Sequence, residues 1–185
     1  MYDARACDWQ SILDAYYPAG TPLRSIIEGH SRQVADMALD IARRKGFSED
    51  ADRIEAAAML HDIGICRTDA PGIQCFGHEP YLLHGTIGAR MLREAHAPEW
   101  AAAVAERHTG AGLTRSDIID AGLPDPGEDL CPRTRLERLI CYADKFFSKT
   151  HVGAAPKPVE KVEAAMARFG AAAAERFKAL RAEFE

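Results

Sequence analysis

The sequence predicts an all-α protein, and three observations support this prediction. Apolar residues recur with a period near 3.6, as at Ile27, Val34 and Ile41 in residues 24–45. Alanine-rich stretches suit the helical backbone. No segment shows the regular alternation of apolar and polar residues that is typical of a half-buried strand. With 185 residues, the chain has the length of one domain, and we expect a single domain over residues 1–185.

Helices are predicted where this periodicity is bounded by capping or breaking residues. The first covers residues 24–45 and ends at Gly46. The second begins near Ser48, which precedes an acidic first turn, and reaches about Leu60. Further helices are predicted over residues 84–95, 98–108, 115–121, 134–149 and 158–184. The last is amphipathic, and its apolar face either packs on the core or forms a dimer contact.

Two long segments between these helices, about residues 64–83 and 109–132, are rich in glycine and proline. Long ordered loops in a compact domain are often functional. We therefore expect these two loops to frame the mouth of a pocket. Within the first loop, Phe76, Tyr81 and Leu83 would either receive a nucleobase or simply pack the loop.

Composition excludes several broad functions. The net charge of −5 gives no support for general binding of nucleic acid or an anionic membrane. No apolar run has the length of a membrane span, and the N-terminus has no signal-peptide pattern. The five cysteines are scattered without a C-x-x-C pair, which indicates reduced thiols in a cytoplasmic protein. Cys66 and Cys75 remain alternative metal ligands, although they lack a paired spacing.

Several ionisable residues fall on the apolar faces of the predicted helices. A single histidine in such a position is more often a satisfied core residue than a ligand. A whole set is different, because every buried polar group needs its own partner. Convergence on a metal ion would satisfy all of them at once. The residues concerned are His30, His61, Asp62, His84, His108 and Asp144.

The residue types indicate the kind of metal. Imidazoles and carboxylates without thiolates suit iron, manganese, cobalt, nickel or zinc. A closed structural zinc site would normally be tetrahedral and rich in thiolates. Four histidines and two aspartates exceed one tetrahedral site. The set has room for two adjacent ions, with Asp62 bridging them and a hydroxide held in between.

The motifs around these residues resemble the HD superfamily of metal-dependent phosphohydrolases, over about residues 24–150. The order H…HD…H…H…D is complete, and the string HDIG stands at residues 61–64. Three further strings match: H-S-x-x-V-A-x-x-A from His30, H-G-x-x-G-A from His84, and His108-Thr109-Gly110. The resemblance is closest to the subgroup named for HDIG.

The resemblance implies a single HD-domain helical bundle around a buried metal centre. His30, His61, Asp62 and Asp144 would bind the first ion. His84 and His108 match the two extra histidines of members with two metals. We accordingly expect two divalent transition-metal ions, with iron preferred over manganese, nickel, cobalt or zinc. Two-metal members include cyclic-dinucleotide phosphodiesterases with a GYP string, which this chain lacks near His108, so no substrate is carried over.

The expected function is hydrolysis of a phosphomonoester or phosphodiester, in a nucleotide or other small phosphate, by a metal-bound hydroxide. Asp62 and Lys145 are the expected catalytic residues, and His78 and Lys149 the expected substrate contacts. A solvated lysine is the alternative for Lys145, and a surface histidine for His78. Alternative functions are a di-iron oxygenase of the HD type and a non-catalytic nucleotide-binding domain. A homodimer is compatible with the C-terminal helix; no nucleic-acid or membrane partner is expected.

Overall fold

The computed structural model describes residues 7–185, and within them the prediction of an all-α fold is confirmed. The α-helices are α1 (Trp9–Tyr16), α2 (Pro22–Arg44), α3 (Ala51–Leu60), α4 (His84–Glu94), α5 (Glu99–Arg107), α6 (Arg115–Asp120), α7 (Arg135–Asp144), α8 (Val159–Arg168) and α9 (Ala171–Phe184). No helix in this part of the chain is both long and apolar enough to cross a membrane. All five cysteines are free thiols.

Local chemistry explains where the main helices begin. Thr21 caps α2 by accepting a hydrogen bond from the N–H of Arg24 at 3.2 Å, and Pro22 occupies the first helical position. Asp50, rather than Ser48, caps α3 by accepting from the N–H of Asp52 at 3.1 Å. Thr134 caps α7 in the same way. In each of these three helices, a short polar side chain thus satisfies one free N–H group of the first turn.

The structure corrects the expectation that the chain contains no strand. The loop between α3 and α4 contains two short antiparallel strands, β1 (Asp69–Ala70) and β2 (Cys75–Phe76). The left-handed backbone of Gln74, with φ of 62°, helps to turn the chain between them. Strands of two residues are too short to produce a detectable alternation. The helix α1 was also not predicted from the sequence.

Two predicted helix boundaries are wrong. The helix expected over 134–149 ends at Asp144, so Lys149 lies beyond it in a turn. The helix expected over 158–184 is two helices, α8 and α9, separated at Phe169 and Gly170. Gly170 has φ of 114°, a conformation that side chains rarely adopt and that no α-helix contains. The apolar periodicity of the sequence continues across residues 169–170, so it does not reveal this break between the two helices.

The core has two parts. The first packs α2, α3 and α7 against α8 and α9, with Tyr142 close to Phe177 and Phe184 at ring-centroid distances of 5.6 and 5.5 Å. The second joins α1, α4, α5 and the 3₁₀ turn Ile63–Arg67. His30 lies between Ile27, which belongs to the second part, and Val34, which belongs to the first. The ionisable residues therefore lie near the junction of two apolar clusters.

Two glycines allow the turn after α3 to contact α4 directly. A Cβ atom at Gly64 would overlap the carbonyl oxygen of His84 and lie 2.5 Å from the amide nitrogen of Gly88. A Cβ atom at Gly88 would lie 3.1 Å from the amide nitrogen of Gly64. The glycine of HDIG thus sets the distance between the backbone that carries His61 and Asp62 and the helix that carries His84.

Replacing Gly64 by Ala is expected to destabilise the fold, because backbone atoms of α4 would have to move. The expected loss in free energy of unfolding is about 1–3 kcal/mol, the usual range for overpacking. The measurement is denaturant-induced unfolding. Gly72→Ala is the matched control, since a Cβ atom there meets nothing within 4 Å. Equal stability of the two variants would contradict this account.

Candidate metal centre

The structure brings the six predicted ionisable residues together in the interior. His30, His61 and Asp62 are fully buried, and the most exposed member, Asp144, has 7% relative accessibility. They come from five different parts of the helical scaffold. His30 is on α2, His61 and Asp62 follow α3, His84 begins α4, His108 follows α5, and Asp144 ends α7.

Asp62 is at the centre of this cluster, and its two oxygens face different histidines. Oδ2 lies 3.2 Å from Nε2 of His30 and 3.1 Å from Nε2 of His61. Oδ1 lies 3.3 Å from Nε2 of both His84 and His108. Asp144 faces the same two histidines as Oδ2 of Asp62. Its Oδ1 lies 3.0 Å from Nε2 of His30 and 3.5 Å from Nε2 of His61.

These distances define two overlapping groups of potential ligands. One contains His30, His61, Asp62 and Asp144, and the other contains Asp62, His84 and His108. Within each group the ligand atoms lie within 4.8 Å of one another. Both groups use Asp62, and every member is buried. The cluster could hold a metal ion on each side of Asp62.

Backbone carbonyls orient three of the imidazoles. Nδ1 of His61, His84 and His108 lies 2.6, 2.7 and 2.7 Å from the carbonyl oxygens of Ala58, Tyr81 and Ala105. A carbonyl can only accept, so Nδ1 carries the proton and donates it. Nε2 of each ring then faces the cluster, the arrangement that metal-binding histidines commonly adopt.

The pair His84 and His108 could hold a cation between its rings. Their Nε2 atoms are 3.0 Å apart. Burial, together with the neighbouring His108, lowers the pKa of His84 to about 3, and burial lowers the pKa of His108. Both rings are therefore neutral near pH 7, and two acceptor nitrogens face each other beside a carboxylate oxygen. A metal ion between the two nitrogens would relieve this repulsion, so the donor set fits a metal ion.

His61 behaves differently because it faces two carboxylates. Burial acts to lower its pKa, but the charges of Asp62 and Asp144 outweigh burial and raise it to about 9. The imidazole of His61 is thus protonated when no other cation lies beside the two carboxylates. The group of His30, His61, Asp62 and Asp144 therefore favours a bound positive charge, as a metal site does.

Two lysines complete the electrostatics of the cluster. Nζ of Lys149 lies 2.7 Å from Oδ2 of Asp62, and Nζ of Lys145 lies 2.6 Å from Oδ2 of Asp144. Lys145 also donates to the carbonyl oxygen of His108 at 3.1 Å. Burial acts to raise the pKa of both carboxyls, but the nearby positive charges hold each well below its usual range. The structure thus places both predicted lysines at the cluster.

Other predicted residues lie elsewhere. His78 lines a separate groove with Arg67, Phe76 and Glu79, and it is not among the residues lining the cavity over the cluster. The structure therefore does not bring His78 to the predicted site. The thiols of Cys66 and Cys75 lie 3.6 and 3.8 Å from the carbonyl oxygens of Ile63 and Ile73, and neither belongs to the ligand groups.

Tyr81 has a role at the site that sequence reasoning left open. Its ring stacks on His84 with a centroid distance of 4.7 Å, and its carbonyl oxygen accepts the Nδ1–H of the same histidine. Burial raises the pKa of its phenol to about 12, so the hydroxyl stays protonated. The available signal was its position three residues before His84, the same spacing that relates Ala58 to His61 and Ala105 to His108.

A cavity of about 700 Å³ opens onto the cluster. At one end it is lined by His84, His108, Asp144 and the two lysines. The loop after α5, the helix α6 and the corner between α8 and α9 form the remaining walls. Such a volume lies in the usual range for small-molecule sites, ~300–1,000 Å³.

Comparison with known proteins places the chain in a family. The HD domain model matches residues 27–148. An uncharacterized protein of Methanocaldococcus jannaschii is 36% identical over 124 residues, which are 65% of this chain and 66% of that protein. The tRNA (cytidine(56)-2'-O)-methyltransferase of Thermoplasma volcanium is 30% identical over 141 residues, 76% of this chain and 37% of the enzyme. The chain thus spans about two thirds of the first relative and little more than a third of the second.

Solved structures agree with this comparison at the level of the fold. The HD domain of the Listeria monocytogenes phosphodiesterase PgpH superposes with a TM-score of 0.52 at 18% identity, covering 94% of both chains. The same domain in complex with cyclic-di-AMP gives a TM-score of 0.52 at 17% identity, covering 95% of this chain and 81% of that one. The family match, which includes the ordered histidines and aspartates, shows that this chain belongs to the HD domain family.

Proposed function

We propose that this chain is a metal-dependent phosphohydrolase that acts on a nucleotide or another small phosphate ester. The observation that carries the proposal is the position of Asp62, whose two oxygens each face a different pair of histidines at 3.1–3.3 Å. A carboxylate shared in this way is the arrangement by which a protein holds two adjacent cations. Membership of the HD family supports the same chemistry.

In this proposal, His30, His61, Asp62 and Asp144 hold one divalent ion, and His84 and His108 hold a second together with Asp62. The nitrogen and oxygen donors suit iron, which we propose, and also manganese, nickel, cobalt or zinc. When bound, such ions supply a water activated near neutral pH and positive charge for the phosphoryl oxygens. The backbone acceptors of His61, His84 and His108 keep these rings in their binding orientation.

Lys145 and Lys149 would hold the phosphoryl group. Both ammonium groups border the cavity, and both are paired with carboxylates of the cluster. With metal ions held by those carboxylates, the lysine ammonium groups would be available to face phosphoryl oxygens, where charge increases during the reaction. Tyr81 positions His84 and closes one side of the site, so we assign it a positioning role.

The proposed setting is a single domain in the cytoplasm. The HD core over about residues 24–150 and the C-terminal helices share one apolar cluster, in which Phe177, Leu180 and Phe184 pack with α7. Free cysteines are typical of reducing compartments.

Loss of one side of the cluster should remove one ion and leave the other. Wild-type protein loaded with Mn²⁺ is expected to retain two ions per chain, whereas His84→Ala retains one, because His30, His61, Asp62 and Asp144 remain. The measurement is elemental analysis after gel filtration, with circular dichroism to verify folding. His78→Ala is the matched control and should retain both ions. Two ions in His84→Ala would show that His84 is not a ligand.

The proposed function is tested by phosphate release from nucleoside monophosphates and small phosphate esters in the presence of Mn²⁺ or Fe²⁺. We expect release by the wild-type protein and a loss of at least ~10³-fold for Asp62→Ala, since both ions depend on this residue. Asp69→Ala, which changes an exposed carboxylate outside the cluster, is the control. Turnover by Asp62→Ala at the wild-type rate would overturn the mechanism.

A further inference from the structure

The far end of the cavity is built by a part of the chain outside the HD match. The match ends at residue 148, whereas Met166, Phe169, Ala173 and Arg176 line the cavity. A phosphate group at the metal centre would fill only a small part of about 700 Å³. The remaining space, bounded by α6, α8 and α9, is available to the group that is esterified to the phosphate.

One wall of this far end is apolar, and one of its residues, Phe169, is exposed. Leu113, Met166 and Ala173 contribute to it, and Phe169 stands at the corner between α8 and α9. The ring of Phe169 is 74% exposed although it lines the cavity. Nothing in the core requires a large aromatic side chain at this corner. A flat ligand packed against it would cover this surface.

Arg176 provides a fixed polar group beside the apolar wall. One of its terminal nitrogens, Nη2, donates to Oδ2 of Asp117 at 2.8 Å and to the carbonyl oxygen of Gly112 at 3.1 Å. Asp117 is itself fixed by its reciprocal hydrogen bonds with Thr114 at the start of α6. The Nε atom of Arg176 is buried and has no hydrogen-bond partner among residues 7–185. The guanidinium is thus held in place at the cavity wall by the two hydrogen bonds of Nη2.

The two ends of the cavity differ in charge. Lys145 and Lys149 border the metal end. The far end has two carboxylates, Asp117 and Asp120, and one guanidinium, that of Arg176, which is already paired with Asp117. The far end therefore carries an excess of negative charge. A second phosphate group placed there would be repelled, whereas hydroxyl or amino groups could donate to Asp120.

We infer that the far end is a leaving-group subsite that selects phosphate monoesters with an uncharged, flat, ring-bearing group, the chemistry of a nucleoside monophosphate. Phe169 and Met166 contact the face of the ring, and Arg176 and Asp120 contact its polar edge. Substrates with a second phosphate, such as a nucleoside diphosphate or a cyclic dinucleotide, are disfavoured. This inference rests on the proposed function, because it places the phosphate at the metal centre.

The test is calorimetric binding to the Mn²⁺-loaded protein. The probes are inorganic phosphate, the phosphonate analogue of adenosine monophosphate, which resists hydrolysis, and cyclic-di-AMP. We expect the adenosine phosphonate to bind at least ~10-fold more tightly than inorganic phosphate, and cyclic-di-AMP to bind more weakly than the phosphonate. Phe169→Ala should weaken phosphonate binding roughly tenfold, the effect of losing one aromatic contact, and leave phosphate binding unchanged.

Phe76→Ala is the matched control, because Phe76 is 70% exposed and lines a different groove. It should bind all three probes like the wild type. Unchanged phosphonate binding by Phe169→Ala would overturn the subsite, and tighter binding of cyclic-di-AMP would overturn the charge argument. If inorganic phosphate does not bind, the proposed function fails instead. In that case, adenosine alone tests the subsite. If Phe169→Ala binds adenosine as tightly as the wild type does, the subsite is overturned.

Discussion

The fold is organised around the burial of one carboxylate, that of Asp62. A buried carboxylate is costly unless cations or donors surround it. Here four imidazole nitrogens lie within 3.1–3.3 Å of its two oxygens, and the ammonium of Lys149 lies at 2.7 Å. These groups come from α2, α4, the segments after α3 and α5, and the turn after α7. Helices far apart in the sequence must therefore meet at this point, and the two apolar clusters hold them there.

The ends of the helices supply the geometry of the site. His61 and His108 follow the last residues of α3 and α5, and His84 begins α4 directly after a 3₁₀ turn. At the C-terminal ends of α3 and α5, backbone carbonyls lack helical partners. Nδ1 of each of the three histidines donates to the carbonyl three residues earlier, and this contact directs Nε2 toward the cluster. Gly64 and Gly88 then bring two of these ends into contact. A change in backbone packing would therefore alter the ligand positions directly.

Sequence reasoning predicted most of the helical scaffold, and it singled out six residues that the structure brings together. The helices α2, α4 and α5 have strong apolar periodicity, and their predicted bounds differ from the structure by no more than two residues. The six ionisable residues were found because each interrupts an apolar face. The corner at Gly170 was missed because the apolar stripe continues through it, and the short strands because they have no period. The role of Tyr81 depends on its backbone carbonyl, which a pattern of side chains does not reveal.

The central claim is that Asp62 is shared between two cation sites, and anomalous diffraction from crystals of the Mn²⁺-loaded protein tests it most directly. The account predicts two anomalous peaks, one next to each carboxylate oxygen of Asp62. The first peak should contact His30, His61 and Asp144, and the second should contact His84 and His108. A single peak, or two peaks of which one does not contact Asp62, would contradict the account.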